Sequence, residues 1–324
     1  MSILFLTILS VNFVIYFERM NNLEGVLILN KPKGYTSHDC VFKIRKLLKT
    51  KKVGHTGTLD PEVTGVLPIC IGNATKIVEY LTAEEKTYVA EVTLGRSTTT
   101  EDQTGETVDA VVIDRKITIE EIEAVTKRLI GEIDQTPPMY SAVKINGKKL
   151  YEYARQGIEI ERPTRKVTIH NIDIVEAQNV YEIGDDVKFT IRVTCSKGTY
   201  IRTLAVTIGE KLGFPAHMSS LVRTQSGIFT LNDAISFEQL EEMVQLDNVH
   251  DALIPIEKAL RGLPALTIND TVAEKVKNGA VLPLPEEMKD EDLFVVYYEG
   301  KCLAIYMKHP TKEGLMKPRK VFHT

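Results

Sequence analysis

Three stretches of this chain alternate between apolar and polar side chains. Residues 87–94 (TYVAEVTL) place Tyr88, Ala90, Val92 and Leu94 on one face, and residues 167–176 and 187–194 follow the same period of two. Only a half-buried β-strand satisfies that period. Between them lie segments with helical spacing. In residues 37–49 the apolar positions are Cys40, Val41, Ile44, Leu47 and Leu48, with Ser37 as the predicted N-cap. Residues 118–130 open with the capping pattern T-I-E-E, and residues 200–212 read as a helix stopped by Gly213. Shorter helices are predicted over 237–244 and 256–260, and a short apolar strand over 23–29 ends at a turn, residues 30–34. Strands and helices mixed without regular βαβ alternation predict an α+β fold. Past Pro264 the strands shorten (281–285, 293–298, 303–307) and are punctuated by Pro and Gly. A boundary at residues 261–264 leaves a tail of about 60 residues, stable when docked on a larger body.

The 324 residues fit about two domains. With 43% hydrophobic and 26% charged residues, the composition excludes a disordered chain, a collagen-like fibre and a coiled-coil rod. The four cysteines are scattered, the closest two (Cys40 and Cys70) being 30 residues apart. No zinc-ligand spacing exists, and the pattern suits a reducing cytosol. A net charge of −4 excludes a polycation, but charge is segregated. Residues 43–52 (KIRKLLKTKK) hold six bases and no acid, and residues 144–166 carry Lys144, Lys148, Lys149, Arg155, Arg162, Arg165 and Lys166. A further basic group, Lys308, Lys312, Lys317, Arg319 and Lys320, closes the chain. Such segregation permits a basic face for a polyanion; solvated helix faces are the alternative. Residues 2–17 are nearly all apolar or hydroxylated, short for a membrane span, and without a basic leader or cleavage site. They read as an upstream start, with Met20 as the natural one; a membrane anchor is the alternative.

Chemistry concentrates in residues 54–68, GHTGTLDPEVTGVLP. Glycines at 54, 57 and 65 allow positive φ or close backbone approach. Pro61 pushes Asp60 out of the helical region. Two readings stay open on spacing alone: Asp60 as a catalytic carboxylate, or Asp60 as an N-cap with Pro61 and Glu62 in a first helical turn. A phosphate loop is disfavoured because GK[ST] is missing.

These residues closely resemble the signature of the TruB-type tRNA pseudouridine-55 synthases. The resemblance extends, in family order, through NKPKG (30–34), LPICIGNATK (67–76), EKTYVAEVTLG (85–95), PPMYSAVKINGKKLYEYARQGIEI (137–160), CSKGTYIRTLA (195–205) and GEKLGFPAHMSSLVRT (209–224), and covers residues 23–260. It implies the pseudouridine-synthase fold: a mixed, mainly antiparallel sheet flanked by helices and loops, with a thumb insertion at about 136–166. The synthase domain would span 20–262, and residues 263–324 would form a small, mainly β, PUA-like RNA-binding domain.

The implied reaction isomerises uridine 55 in the T loop of tRNA. The glycosidic bond is cut, the base rotates, and C5 joins C1′ in place of N1. It is redox-neutral, so no cofactor and no metal are expected. The implied partner is the tRNA T arm, with no membrane partner, a cytoplasmic location and a monomer as the default. By the same resemblance Asp60 is the catalytic aspartate, as nucleophile or in an elimination, and Arg202 is the arginine that pairs with it. Tyr88 is the active-site tyrosine, stacking on the base and serving proton removal from C5. Tyr200 and Leu221 wall the substrate pocket, and His55 fills the space of extruded loop bases. Lys31 and Pro32 are read as structural. Lys148 and Lys149 belong to the thumb, and the basic residues 43–52 add phosphate contacts that offset base flipping. On pattern alone, Tyr88 and Leu221 would be core residues and Arg202 a surface helix charge. Competing functions are a tRNA-binding chaperone module, a synthase acting on another uridine, a glycosylase, and a phosphate-loop transferase.

Overall fold

The computed structural model of the chain describes residues 23–184 and 186–322. The predicted N-terminal extension, residues 1–19, lies outside the described residues. Among the described residues a ten-stranded sheet dominates. Its strands are β1 (Gly25–Lys31), β2 (Val53–His55), β3 (Thr64–Ile71), β4 (Lys86–Leu94), β5 (Gly131–Gln135), β6 (Arg165–Glu176), β7 (Lys188–Cys195), β8 (Ala216–Ser226), β9 (Phe229–Thr230) and β10 (Leu253–Ile254). The order is β10-β1-β3-β8-β4-β7-β6-β5, with β2 paired to β3 and β9 to β8. Every pairing is antiparallel except β3 with β8. The α+β expectation holds. Helices α1 (Ser37–Leu47), α2 (Ile119–Lys127), α3 (Ile201–Leu212) and α4 (Phe237–Gln245) follow the predicted segments, and Gly213 ends α3 in the left-handed conformation at φ 85°.

Two local expectations are corrected. The N-cap of α1 is Thr36, not Ser37. The Thr36 hydroxyl accepts from Asp39 N, and the Asp39 carboxylate accepts from Thr36 N, closing a capping box. Ser37 is instead buried, and its hydroxyl accepts from Leu59 N at 2.8 Å, which ties the helix to the loop before Asp60. The second correction is Asp60 itself. It caps no helix; Pro61 and Glu62 form a turn that Val63 N closes onto the Asp60 carbonyl at 3.1 Å.

A second sheet, of five strands, follows: β11 (Ala265–Thr267), β12 (Leu282–Pro283), β13 (Leu293–Tyr298), β14 (Lys301–Lys308) and β15 (Leu315–Val321), in the order β11-β13-β14-β15-β12. Helix α5 (Asp270–Lys277), capped by Asn269, packs on it through Ala273 and Val276. Sequence patterning missed β11, α5 and β15. The two sheets share a core. Leu27 and Leu29 of β1 face the main cluster, whereas Val26 and Ile28 face a second cluster that includes Val295, Cys302 and Ile305. Polar contacts fix the same seam. Glu257 accepts from Cys302 N at 3.0 Å, Tyr297 donates to the Glu257 carbonyl at 3.2 Å, and Lys76 Nζ donates to the Val321 carbonyl at 2.8 Å. All four cysteines are free and buried. No helix among the described residues is long and apolar enough to cross a membrane.

Candidate active site

The site grows from the centre of the large sheet. β1, β3, β8 and β4 are neighbours, and one row of paired residues crosses them: Lys31, Gly65, Arg223 and Tyr88. Gly65 has φ +105°, and a Cβ there would come within 2.1 Å of the Arg223 carbonyl. Only glycine lets β3 and β8 approach so closely. Gly57 also has positive φ (+137°), whereas Gly54 does not require it.

Lys31 anchors the loop that carries Asp60. Its fully buried ammonium donates to the carbonyls of Pro32 (2.9 Å), Tyr35 (2.6 Å) and Pro61 (3.2 Å). Gly34 N donates to the same Pro61 carbonyl. The turn at 30–34 therefore buttresses the loop, as expected for Lys31 and Pro32. Burial pulls the Lys31 pKa down.

Asp60 meets Arg202 at 3.0 Å between Oδ2 and Nη2. Arg202 is buried, at 4% exposure, rather than a surface helix charge. Its fork does not grip Asp60 with both arms. Nη1 donates to the Thr100 carbonyl and Nη2 to the Tyr140 carbonyl, each at 2.9 Å, and Asp102 stands 3.9 Å from Nη1. The guanidinium is thus held by hydrogen bonds to two loops and meets Asp60 as an ion pair through Nη2. Two-fifths of the Asp60 side-chain surface remains open to solvent. Even so, desolvation in the cleft pushes its carboxyl above the usual range, and Asp102 adds to this; Arg202 and Lys31 pull it down without overcoming the rise.

Two cavities meet at this pair. The inner one, about 520 Å³, is reached by His55, Lys86, Tyr88, Tyr200 and Arg223. The outer one, about 620 Å³, is reached by Lys33, Tyr140, Tyr151 and Arg155. Asp60, Val63, Arg202 and Leu221 line both. Leu221 is therefore a wall of both cavities, half-buried and packed against the edge of the main core rather than enclosed in it. Tyr88 is both things at once: it packs in the main core and lines the inner cavity. Burial raises its pKa, and the neighbouring Arg223 opposes the rise. His55 accepts from Gly57 N through Nδ1 at 3.3 Å, and burial lowers its pKa, favouring the neutral ring. The Tyr200 backbone is clasped by Gln135, which donates to its carbonyl at 3.0 Å and accepts from its N–H at 2.7 Å. The Arg165 guanidinium lies 5.0 Å from the Tyr200 ring centroid.

Lys148 and Lys149 line neither cavity. They form one strand of a hairpin with Lys144–Ile145, turned at Asn146 and Gly147, both with positive φ. Lys149 Nζ donates to the Tyr151 hydroxyl at 3.3 Å, which connects the hairpin to the rim of the outer cavity. In the basic stretch 43–52, Lys43 pairs with Glu241 at 3.0 Å, and Arg45 donates to the Val53 carbonyl at 2.9 Å, so two of its bases serve the fold.

Sequence reasoning missed Lys86, Asp102, Gln135 and Arg223. Two of these carried a readable signal. Lys86 lies two residues before Tyr88 on β4, and Arg223 two residues after Leu221 on β8. Strand alternation therefore puts each charge on the same face as a pocket residue. Lys86 is buried, and its ammonium donates to the carbonyls of Thr82 (2.7 Å) and Glu84. Burial, with the charge of Arg223 nearby, lowers its pKa to about 8.

A carboxylate paired to a buried cation, beside a cavity lined by tyrosines and leucine, suits covalent or acid–base chemistry. The comparisons agree with that chemistry. Residues 45–201 match the TruB family pseudouridylate synthase N-terminal domain, and residues 202–261 match the tRNA pseudouridylate synthase B C-terminal domain. The join between the two matches falls inside α3, so it is not a boundary of the fold. The chain is 60% identical to tRNA pseudouridine synthase B of Bacillus subtilis (strain 168) over 303 residues, covering 92% of this chain and 97% of that one. It is 58% identical to the protein of the same name from Geobacillus thermodenitrificans (strain NG80-2), covering 93% and 100%. Among solved structures, a Cbf5-Nop10-Gar1 complex matches with TM-score 0.71 at 31% identity, covering 92% of this chain and 85% of the matched chain. An H/ACA RNP bound to a substrate RNA containing 2′-deoxyuridine matches with TM-score 0.69 at 28% identity, covering 93% and 85%. The chain belongs to the TruB family of pseudouridine synthases.

Proposed function

We propose that this synthase converts uridine 55 in the T loop of tRNA to pseudouridine, with Asp60 as the reacting carboxylate. The observation that carries the reading is the Asp60–Arg202 pair, 3.0 Å apart where the two cavities meet. The target base must leave its stack to reach it. Its ring enters the inner cavity between Tyr88 and Leu221, and the ribose stays at the mouth beside Asp60. Asp60 attacks C1′ or takes a proton from the ribose, and both routes need it ionised. Arg202 keeps that ionised form accessible in a desolvating cleft. Tyr88 takes the proton from C5 after C5 has joined C1′. Tyr200 and His55 shape the pocket, and neither metal nor cofactor takes part.

Residues 136–166 act as a thumb that closes on the T arm, and residues 263–324 as a PUA-like RNA-binding domain. The enzyme works as a cytoplasmic monomer. Lys148 and Lys149 bind phosphates of the T arm from the thumb. Replacing both with Glu weakens tRNA binding. It also flattens the plot of log affinity against log salt, by a slope of about one for each phosphate no longer neutralised. Unchanged affinity in a titration across salt concentrations would remove the thumb assignment.

Tritium release from an unmodified tRNA transcript labelled at C5 of uridine tests the central reading. Release by the wild-type chain and not by Asp60→Asn, mapped to the T loop, is the expected result. A folded, tRNA-binding wild type that releases none would instead be a binding module. Release by both chains would mean that the carboxylate lies elsewhere.

A further inference from the structure

Arg223 is an anomaly of charge. It is 1% exposed and is among the largest fully buried side chains. No carboxylate lies within ion-pair distance of it among the described residues, in contrast to Arg202, which has two. Its Nε donates to the Val66 carbonyl at 2.6 Å, but Nη2 makes no hydrogen bond. Nη1 lies against Gly57 in the Asp60 loop. Other cations surround it: Lys31 two positions away along the same cross-sheet row, and Lys86 on β4, two residues from Tyr88. A buried guanidinium without a counter-ion is costly, and neighbouring cations add to that cost. Arg223 and Lys86 line the inner cavity and not the outer one.

The reaction creates a negative charge in that place. When the C1′–N1 bond breaks, its electron pair stays on N1, and the uracil ring carries one negative charge spread over N1, O2 and O4. The ring then turns, C5 supplies the pair that forms the C5–C1′ bond, C5 loses its proton and N1 gains one. No oxidant or reductant is needed. A charge that exists only between bond breaking and bond making is best held by fixed cations in a site sheltered from water.

We propose that Arg223, seconded by Lys86, is the counter-ion of the departing uracil ring, so that the buried positive charge is neutralised only while the glycosidic bond is open. The proposal rests on the functional reading above and adds the group that stabilises the leaving base. It makes Arg223 act on bond breaking and leaves tRNA binding to other residues.

The test is a leaving-group comparison under single-turnover conditions. Two tRNA transcripts are used, one with uridine and one with 5-fluorouridine at the target position, and loss of the target nucleoside is followed by nuclease digestion and chromatography. Fluorine makes the ring a better anion, so its departure needs less help from the protein. Arg223→Gln is expected to slow the uridine reaction by about 10²-fold or more, with tRNA affinity within about threefold of wild type. On 5-fluorouridine the loss should shrink to about tenfold or less, and Arg223→Lys should recover most of the rate on both. Equal losses on the two substrates, or a loss confined to tRNA affinity, would overturn the proposal. If Arg223→Gln does not fold, Lys86→Met undergoes the same comparison, with a smaller loss on uridine that again shrinks with fluorine; no shrinkage overturns it. A wild-type chain that makes no pseudouridine would defeat the functional reading instead, before any variant is compared.

Discussion

The cleft and the seam between the two sheets are both buried, and they treat polar groups in opposite ways. At the seam, apolar side chains of β1, β3, β13 and β14 form one cluster. Its polar groups are matched: Glu257 to Cys302 N, Lys76 to the Val321 carbonyl, and Tyr297 to the Glu257 carbonyl. Among the described residues, two hydroxyls beside it, those of Tyr80 and Ser226, lack a hydrogen bond. The cleft instead holds Ser141 Oγ, Arg165 Nε and Arg223 Nη2 without partners, a carboxylate pushed upward, and a lysine pushed down to about 8. Buried groups left unsatisfied weaken a fold. Their concentration on one cavity marks where stability has been exchanged for chemistry.

Variants can sharpen or break this contrast. The largest effect is expected at Asp60→Asn: a rate loss of at least about 10⁴-fold in the tritium assay, with thermal melting little changed. A matching collapse of the fold would mean that Asp60 is structural. Next comes Arg202→Met. In the proposed role Asp60 reacts ionised, so the rate is expected to fall as pH drops through its pKa, which burial already holds above the ordinary carboxylate range. Arg202 pulls that pKa down, so removing it moves the acid limb of the rate profile to higher pH. A limb that stays in place would separate Arg202 from the ionisation of Asp60. At the seam the same size of change should touch stability alone. Ile305→Ala empties part of a fully buried cluster and is expected to cost about 2–5 kcal/mol, read by urea unfolding. The rate per folded molecule should be kept. Smallest is Glu79→Gln, which breaks exposed pairs with Arg319 (3.2 Å) and Lys320 (3.1 Å). Exposed pairs are worth about 0–1 kcal/mol, so unfolding should barely shift.

The difference also explains what was legible in the sequence. Strand β4 and helix α3 were readable because burial follows their periods: Tyr88, Ala90, Val92 and Leu94 are all inside, and Gly213 stops the helix. The Asp60 loop was readable only as a run of residue types. Its partner Arg202 lies 142 positions away in sequence and was reached through family resemblance, since no local pattern links the two. Lys86 and Arg223 were passed over because a charge on an alternating strand is ordinarily assigned to solvent, although their register marked them as inward. Helix α5 was missed for a different reason. Its apolar stripe is little more than Val272, Ala273 and Val276, and docking on the second sheet supplies what local preference does not.

Strand β1 has apolar side chains on both faces, one set against the main core and the other against the seam. Its edge partner β10 comes more than two hundred residues later, and the seam's far wall, β13 and β14, later still. A nascent chain therefore exposes one of its most hydrophobic strands early and covers it late. Contacts so distant in sequence close slowly. In the interval an uncovered β1 is a template for the wrong neighbour. The lysine that fixes the Asp60 loop ends this same strand, so a molecule arrested before its C-terminal sheet docks would carry an aggregation-prone edge and an unset candidate site together.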